Sequence, residues 1–220
     1  MHEHSTVGHV ADERQRGGHV TEPSWEQMVR DNPEHSTWFV ERFRRMAAAG
    51  EDITGEARLM DALLPRRARV LDAGCGGGRL GGYLATAGHE VVGVDVDPVL
   101  IAAAREDHPG ATWLVGDLAT MDLPAQGIPA GFDGIACAGN VMPFVAPSAR
   151  RDVLLRLRAH IADGGRAAVG FGAGRGYEFA EFLDDAGAAG WGPDLLLAGW
   201  DLRPFTDTSD FLVALLRPLP

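Results

Sequence analysis

Hydrophobic positions near the start of the chain recur at helical spacing, but only after a polar stretch. Residues 1–22 show no apolar periodicity, so we expect a disordered tail there. Apolar residues spaced at i, i+3 and i+4 then predict three short helices, which begin near Ser24, Ser36 and Thr54. We interpret residues 23–64 as an N-terminal helical cover.

From residue 65 onward, short apolar runs alternate with helical stretches. Five of these runs are predicted as strands, at residues 69–73, 90–95, 111–115, 132–137 and 166–171. Nearly continuous apolar strands separated by helices predict an α/β fold, with a mostly parallel sheet that helices cover on both faces. Two later runs, at residues 194–200 and 211–217, are joined by a polar loop without a helix, which predicts a C-terminal antiparallel hairpin. Together these seven runs predict one domain over residues 65–220.

Charge and cysteine content narrow the possible environments and partners. The 220 residues carry 20 Lys and Arg against 31 Asp and Glu, a net charge of −11, and so acidic a surface repels phosphate backbones. Two cysteines are too few for a disulfide scaffold, and His2 and His4 lack further residues at metal-ligand spacing, so we expect no metal site. No apolar run is long enough to cross a bilayer, and the first residues lack a signal pattern. We therefore expect a cytoplasmic protein that binds neither nucleic acid nor membrane.

The most informative segment is a glycine-rich turn between the first strand and a helix that begins near Arg79. Glycines at 74, 76 and 78 allow a tight turn and a close approach of the backbone to a ligand. Asp95 ends the second strand, where a carboxylate meets the ribose hydroxyls of a nucleoside lying across the first turn. Asp117 follows the third strand and is placed to accept from an adenine amine. These features, one per successive strand end, predict a cleft for an adenosine.

Two ligand classes contain an adenosine and fit this cleft. A dinucleotide needs Gly-x-Gly-x-x-Gly directly after the strand, but counted from Gly74 the third glycine is replaced by Arg79. A literal match at Gly76, Gly78 and Gly81 starts two residues late and runs into the helix. The other class carries an amino-acid tail instead of a pyrophosphate. An NAD-dependent oxidoreductase is therefore the weaker alternative.

Five segments together resemble the motifs of the class I S-adenosylmethionine-dependent methyltransferases. They are residues 70–78, 91–97, 115–118 and 132–137, and Gly164-Gly165-Arg166. The resemblance extends over roughly residues 65–218 and implies a Rossmann-like fold whose seven-stranded sheet ends in an antiparallel hairpin. It also implies an enzyme that uses S-adenosyl-L-methionine and releases S-adenosyl-L-homocysteine.

The same resemblance implies cofactor-binding residues at four strand ends and on the second helix. These residues are Asp72, Gly74, Cys75, Gly76, Asp95, Val96, Asp117, Leu118, Ala138, Gly139, Trp38 and Arg42. The glycine-rich turn would contact the methionine moiety, with Asp72 supporting it from beneath, and Ala138 or Gly139 would offer a carbonyl to the amino group. Trp38 and Arg42 would close over the cofactor. Arg42 either meets the cofactor carboxylate or is an ordinary surface arginine.

Residues after the fourth and fifth strands and near the hairpin are candidates for binding the methyl acceptor. They are Asn140, Phe144, Tyr177 and Trp200. Methyl transfer from a sulfonium requires alignment more than a base, so no catalytic residue is assigned. Residues 140–144 depart from the Asn/Asp-Pro-Pro-aromatic motif of enzymes that methylate nucleic-acid amines, and Cys137 lacks the Pro-Cys context of cytosine-C5 enzymes. We therefore predict a small-molecule acceptor; the alternative is a non-catalytic cofactor-binding module or partner subunit. The methylated atom and the oligomeric state stay open.

Overall fold

The computed structural model describes residues 24–220, so the predicted tail at residues 1–22 lies outside the described residues. Its helices are α1 (Trp25–Asp31), α2 (His35–Ala48), α3 (Gly55–Leu63), α4 (Arg79–Thr86), α5 (Pro98–Asp107), α6 (Val141–Phe144), α7 (Arg150–His160) and α8 (Phe179–Ala188). Its strands are β1 (Arg69–Ala73), β2 (Glu90–Asp95), β3 (Thr112–Val115), β4 (Phe132–Cys137), β5 (Ile161–Gly172), β6 (Trp191–Leu197) and β7 (Phe211–Pro218).

The strands of the described chain form one seven-stranded sheet in the order β3-β2-β1-β4-β5-β7-β6. Strands β1 to β5 pair in parallel, whereas β7 is antiparallel to both β5 and β6. This confirms the predicted fold, a Rossmann-like sheet with a C-terminal antiparallel hairpin. From β1 the chain continues to β2 and β3 on one side of the sheet, whereas β4 and β5 lie on the other side. The connections that leave β1 and β4 therefore run in opposite directions, which opens a crevice at the carboxyl ends of these two strands.

Helices cover both faces of the sheet because successive strand residues point to opposite sides. Leu71 packs in one buried cluster with Leu154 of α7 and Phe182 of α8. Its neighbour Val70 packs in a second cluster, with Met60 of α3 and other residues of α3 and α4. Helix α3 therefore packs on one face of the sheet, although sequence reasoning grouped it with the helical cover at residues 23–64. The domain division at residues 64 and 65 stays a prediction.

The predicted strand boundaries hold at β1, β2 and β4 but shift at the end of the chain. Strand β5 begins at Ile161 rather than at 166, because Ile161 already pairs with Phe132 before a register shift. Strand β6 runs over Trp191–Leu197 rather than 194–200, since Pro193 is accommodated at the outer edge of the sheet. Over the described part of the chain, no helix combines the length and apolar character that a membrane span requires.

Candidate functional site

A cavity of about 970 Å³ lies at the carboxyl edge of the sheet, beside the crevice between β1 and β4. Eleven of the twelve residues predicted to bind a cofactor line this cavity. They are Asp72, Gly74, Cys75, Gly76, Asp95, Val96, Asp117, Leu118, Ala138, Gly139 and Arg42. Parallel strands bring these residues together because their carboxyl ends meet at one edge.

The glycine-rich turn between β1 and α4 adopts a conformation that only glycine takes easily. Gly74, Gly76 and Gly78 have φ values of +76°, +54° and +80°. A Cβ atom at Gly74 would lie 2.4 Å from Cγ2 of Val141, so the turn also passes too close to α6 for any side chain. The backbone N–H groups of Gly74 and Cys75 donate to the carbonyl of Val94, at 2.8 and 3.1 Å, which fixes the turn to β2.

Asp95 is buried at the end of β2 and holds the glycine-rich turn with its side chain. Its Oδ2 accepts from the Gly76 N–H at 2.9 Å, and its Oδ1 accepts from the Asp97 N–H at 3.0 Å. Burial raises the pKa of this carboxyl above its ordinary value, and the two N–H groups oppose that shift. Asp95 therefore also stabilises the fold, because both of its oxygens accept from backbone N–H groups. Each oxygen keeps a second lone pair for a ligand hydroxyl.

Asp72 lies beneath the turn, completely buried, and its Oδ2 accepts from the N–H of Gly81 at 2.9 Å. Burial raises the pKa of Asp72 to about 7, while the hydrogen bond from Gly81 and the charge of Arg79 act in the opposite direction. The carboxyl thus joins β1 to the first turn of α4. A Cβ at Gly81 would lie 2.9 Å from that Oδ2, which explains a glycine inside the helix.

The two cysteines are buried thiols. Burial raises the pKa of Cys75 well above its ordinary value, and it raises the pKa of Cys137 to about 12. Because only a thiolate is an effective nucleophile, neither side chain is activated for covalent catalysis. Within residues 24–220, no group of three or more His, Cys, Asp or Glu side chains is placed to hold a metal ion.

The far end of the cavity is formed at the carboxyl end of β3. Asp117 is exposed there, and its Oδ1 accepts from the N–H of Ala119 at 2.9 Å. The neighbouring Leu118 is buried, whereas Val96 from the end of β2 is 37% exposed. This end therefore combines an exposed carboxylate with two apolar side chains.

Helices α1 and α2, which we call the cover helices, close the cavity from above. Phe39, Phe43 and Ala47 recur every four residues on the face of α2 that lines it. The prediction for Trp38 is wrong: its side chain is 49% exposed and lies outside the cavity lining. Adjacent helix residues are about 100° apart around the axis, so the face that presents Phe39 turns Trp38 outward. Arg42 lines the cavity and also lies 5.8 Å from the Trp38 ring centroid.

The candidate acceptor-binding residues divide into two pairs. Asn140 and Phe144 line the cavity, and Asn140 accepts from the Gly172 N–H at 2.8 Å through its Oδ1, so a role for the two in acceptor binding stays a prediction. Tyr177 does not line the cavity. Its side chain is buried, with 1% exposed, and its hydroxyl donates to Oδ2 of Asp185 at 2.9 Å.

Trp200 is also placed elsewhere. Its ring packs so closely on Gly170 that a Cβ there would lie 2.4 Å from the indole. It lines a separate groove between α3 and the loop from β6 to β7. Because β6 ends at Leu197, Trp200 follows the strand instead of extending it toward the cavity.

Sequence reasoning missed two side chains of the cavity wall, those of Trp25 and Arg79. Trp25 of α1 has its ring centroid 5.3 Å from that of Phe39 and 6.3 Å from that of Phe144. The guanidinium of Arg79 forms an ion pair with Glu56 and lies 5.2 Å from the Phe43 ring centroid. The helical periodicity of α1 and α2 is the one sequence signal for these aromatic rings. It shows that each helix has an apolar face, but it does not show which part of the protein that face contacts.

The position of Tyr177 gives a first testable prediction. Tyr177→Phe should lower the free energy of unfolding by about 1 kcal/mol, because the hydrogen bond to Asp185 is lost. Affinity for S-adenosylhomocysteine should stay unchanged, since the ring lies outside the cavity lining. Urea unfolding and titration calorimetry measure the two quantities. A tenfold loss of affinity with unchanged stability would instead show that Tyr177 contributes to ligand binding.

Comparison with known proteins agrees with this geometry. Residues 70–165 match a family model described as a methyltransferase domain. The fold is similar to the crystal structure of a TehB-like SAM-dependent methyltransferase from Corynebacterium glutamicum, with 48% identity and a TM-score of 0.81. That similarity covers 85% of this chain and 100% of the other.

Curated relatives match over shorter segments. A ubiquinone biosynthesis O-methyltransferase from Xylella fastidiosa is 40% identical over 105 residues, which are 46% of this chain and 41% of the relative. A mouse 18S rRNA (guanine-N(7))-methyltransferase is 32% identical over 90 residues, which are 40% of this chain and 30% of the relative. The matches thus span less than half of either relative's length.

Proposed function

The chain belongs to the S-adenosylmethionine-dependent methyltransferases, and we propose that it methylates a small-molecule acceptor held under the cover helices. The observation that carries the proposal is a single cavity that contains the glycine-rich turn, Asp95, Asp117 and an aromatic wall. The first three suit the cofactor, and the wall suits an acceptor of limited size. The acidic net charge of −11 disfavours a nucleic-acid acceptor.

The residues of the cavity fit S-adenosylmethionine in their chemistry. We propose that Asp95 accepts from the ribose hydroxyls through the lone pairs that its backbone bonds leave. We assign the adenine to Asp117, Leu118 and Val96, and the methionine moiety to the turn at Gly74 and Gly76. A Cβ at Gly76 would lie 3.5 Å from Phe39, so this ring of α2 lies directly over the turn.

The chain itself contributes alignment and exclusion of water. When bound, S-adenosylmethionine would supply a methyl group activated by its sulfonium for in-line transfer to an acceptor, with S-adenosylhomocysteine as the leaving group. Trp25, Phe39 and Phe144 enclose the space beside the glycine-rich turn with apolar rings. Asn140 joins the ends of β4 and β5 through its bond with Gly172, so we propose that it positions α6, which carries Phe144.

Cofactor selectivity tests the first half of the proposal. S-adenosylmethionine and S-adenosylhomocysteine should both release or absorb heat in titration calorimetry, and NAD should not. A rise in melting temperature with NAD alone would contradict the assignment of the cavity.

Acceptor class is tested by turnover. Formation of S-adenosylhomocysteine should require a member of a panel of small phenols, amines, thiols and carboxylic acids. Total RNA is the matched control, because one relative is an rRNA methyltransferase. Methylation of RNA with every small molecule inert would overturn the proposed class. Absence of turnover with any acceptor, with cofactor binding intact, would instead support a binding module.

We also propose a cytoplasmic location. It is supported by two free, buried cysteines, which need no oxidising compartment. Fractionation of cells that produce the protein tests it.

A further inference from the structure

A second carboxylate near the cofactor cavity, Asp97, binds both cover helices. Asp97 is 5% exposed, and its Oδ2 accepts from Nε1 of Trp25 at 2.8 Å. The hydroxyl of Ser36 donates to the same oxygen. These three residues, which we call the Asp97 cluster, therefore join α1 and α2 to the start of α5.

The remaining polar groups of Asp97 point toward α5 and the cofactor cavity. Its Oδ1 accepts from the N–H of Val99 at 2.8 Å and thereby caps α5. Its own N–H donates to Oδ1 of Asp95 at 3.0 Å, and the other oxygen of Asp95 accepts from Gly76 at 2.9 Å. A continuous series of hydrogen bonds thus leads from the glycine-rich turn to the cover helices.

The cover helices have few other buried attachments. Helix α1 has no buried residue within the described chain, and α2 buries only Ser36 and Val40, of which Val40 packs with Leu100 and Ala103 of α5. Arg44 of α2 also forms ion pairs with Glu106 and Asp107 of α5, but these groups are all partly exposed to solvent, which screens them. The Asp97 cluster is therefore the buried polar attachment that the two cover helices share.

We propose that Asp97 is a positioning residue that couples occupation of the cofactor site to closure of the cover helices. The proposal rests on the proposed function, in which Asp95 binds the cofactor ribose. A ligand that holds the carboxylate of Asp95 in place also holds the Asp97 N–H that donates to it. The carboxylate of Asp97, which accepts from Trp25 and Ser36, is thereby held in place as well. Because Trp25 packs edge-on against Phe144, the same cluster sets the aromatic wall beside the acceptor.

Asp97→Asn tests the coupling while it keeps the cap of α5. The amide oxygen still accepts from Val99, but the amide nitrogen cannot accept from Trp25. The dissociation constant of S-adenosylhomocysteine should rise about tenfold, which corresponds to about 1.4 kcal/mol. In the parent protein this ligand should slow amide hydrogen exchange in α1 and α2, and in the variant that slowing should be lost. A purely structural role would leave the ligand-induced slowing in place.

Glu106→Gln is the matched control. It weakens another contact between α2 and α5, the ion pair of Glu106 with Arg44 at 2.9 Å, and leaves the Arg44–Asp107 pair and the Asp97 cluster in place. Its affinity should stay within about twofold of the parent, because exposed ion pairs contribute little. A tenfold loss in this variant would mean that any contact between α2 and α5 suffices, which contradicts a specific role of Asp97.

Two further variants keep the proposal testable if Asp97→Asn does not fold. Trp25→Phe and Ser36→Ala each remove one donor and leave the cap of α5 intact. Each should weaken binding, and Trp25→Phe combined with Asp97→Asn should lose less than the sum of the single effects. Parent-like affinity in both donor variants would overturn the proposal. If Asp95→Asn also binds S-adenosylhomocysteine with parent-like affinity, the proposed cofactor site itself is wrong. If Asp95→Asn binds weakly while both donor variants bind normally, the cofactor site is supported and the coupling through Asp97 is not.

Discussion

Asp95→Ala should raise the dissociation constant of S-adenosylhomocysteine by roughly 10- to 150-fold. Charge-assisted hydrogen bonds to ribose hydroxyls contribute about 1.5–3 kcal/mol, and each 1.4 kcal/mol changes affinity about tenfold. The variant should also unfold more easily, because the N–H groups of Gly76 and Asp97 lose their acceptor. Titration calorimetry and thermal melts separate the two effects.

Asp122→Ala is the matched control for Asp95. Asp122 is exposed, and its Oδ1 also accepts from a backbone N–H, that of Ala125 at 3.1 Å, but it does not line the cavity. Its loss should lower stability slightly and leave affinity unchanged. Equal affinities for Asp95→Ala and the parent would contradict the assignment of the nucleoside to this cavity.

Gly74→Ala should have the largest effect on the site, by changing the backbone instead of a ligand-binding group. A left-handed φ of +76° costs an L-residue about 1–2 kcal/mol, and the new Cβ would lie 2.4 Å from Val141. Because the turn has to move away from α6, we expect the unfolding free energy to fall by about 2–4 kcal/mol. Affinity for S-adenosylhomocysteine should fall by about 100-fold or more, about 3 kcal/mol.

The same turn supplies the control for Gly74. Gly77 lacks a positive φ, and a Cβ there would have no atom within 4 Å, so Gly77→Ala should change stability by less than about 0.5 kcal/mol. Adding Val141→Ala to Gly74→Ala should recover most of the steric part of the loss, because only the Cβ of residue 141, at 3.1 Å, would remain close, and it should leave the backbone strain. Unaltered urea unfolding and ligand affinity in Gly74→Ala would contradict this account of the turn.

Most of the cofactor cavity was predictable because its residues lie at strand ends that are marked locally. Apolar runs ending in Gly or Asp give the bounds of β1 and β2, and a parallel sheet then brings Gly74, Asp95 and Asp117 to one edge. No comparable local signal exists for the acceptor side. Tyr177 and Trp200 follow strands as Asn140 does, yet they pack into the core and a separate groove.

Side-chain roles that depend on distant partners were not predictable. An Asp directly before a Pro predicts a helix N-cap, and Asp97 caps α5 through Val99 and Leu100. If Asp97 only capped α5, Asp97→Ala would leave affinity mostly unchanged. The bond to Trp25 spans 72 residues and changes that expectation, because periodicity and capping rules describe only neighbours in sequence.

The Trp25–Asp97 bond also has a consequence for the order in which the chain folds. The cover helices leave the ribosome before β2 and α5 exist, so their acceptor at Asp97 is made 72 residues after Trp25. A seven-residue helix such as α1 is far below the about 12–15 residues that an isolated helix needs in water. Helix α1, the first described segment to be synthesised, therefore cannot dock on Asp97 until the 72 residues after Trp25 have been made and have folded back.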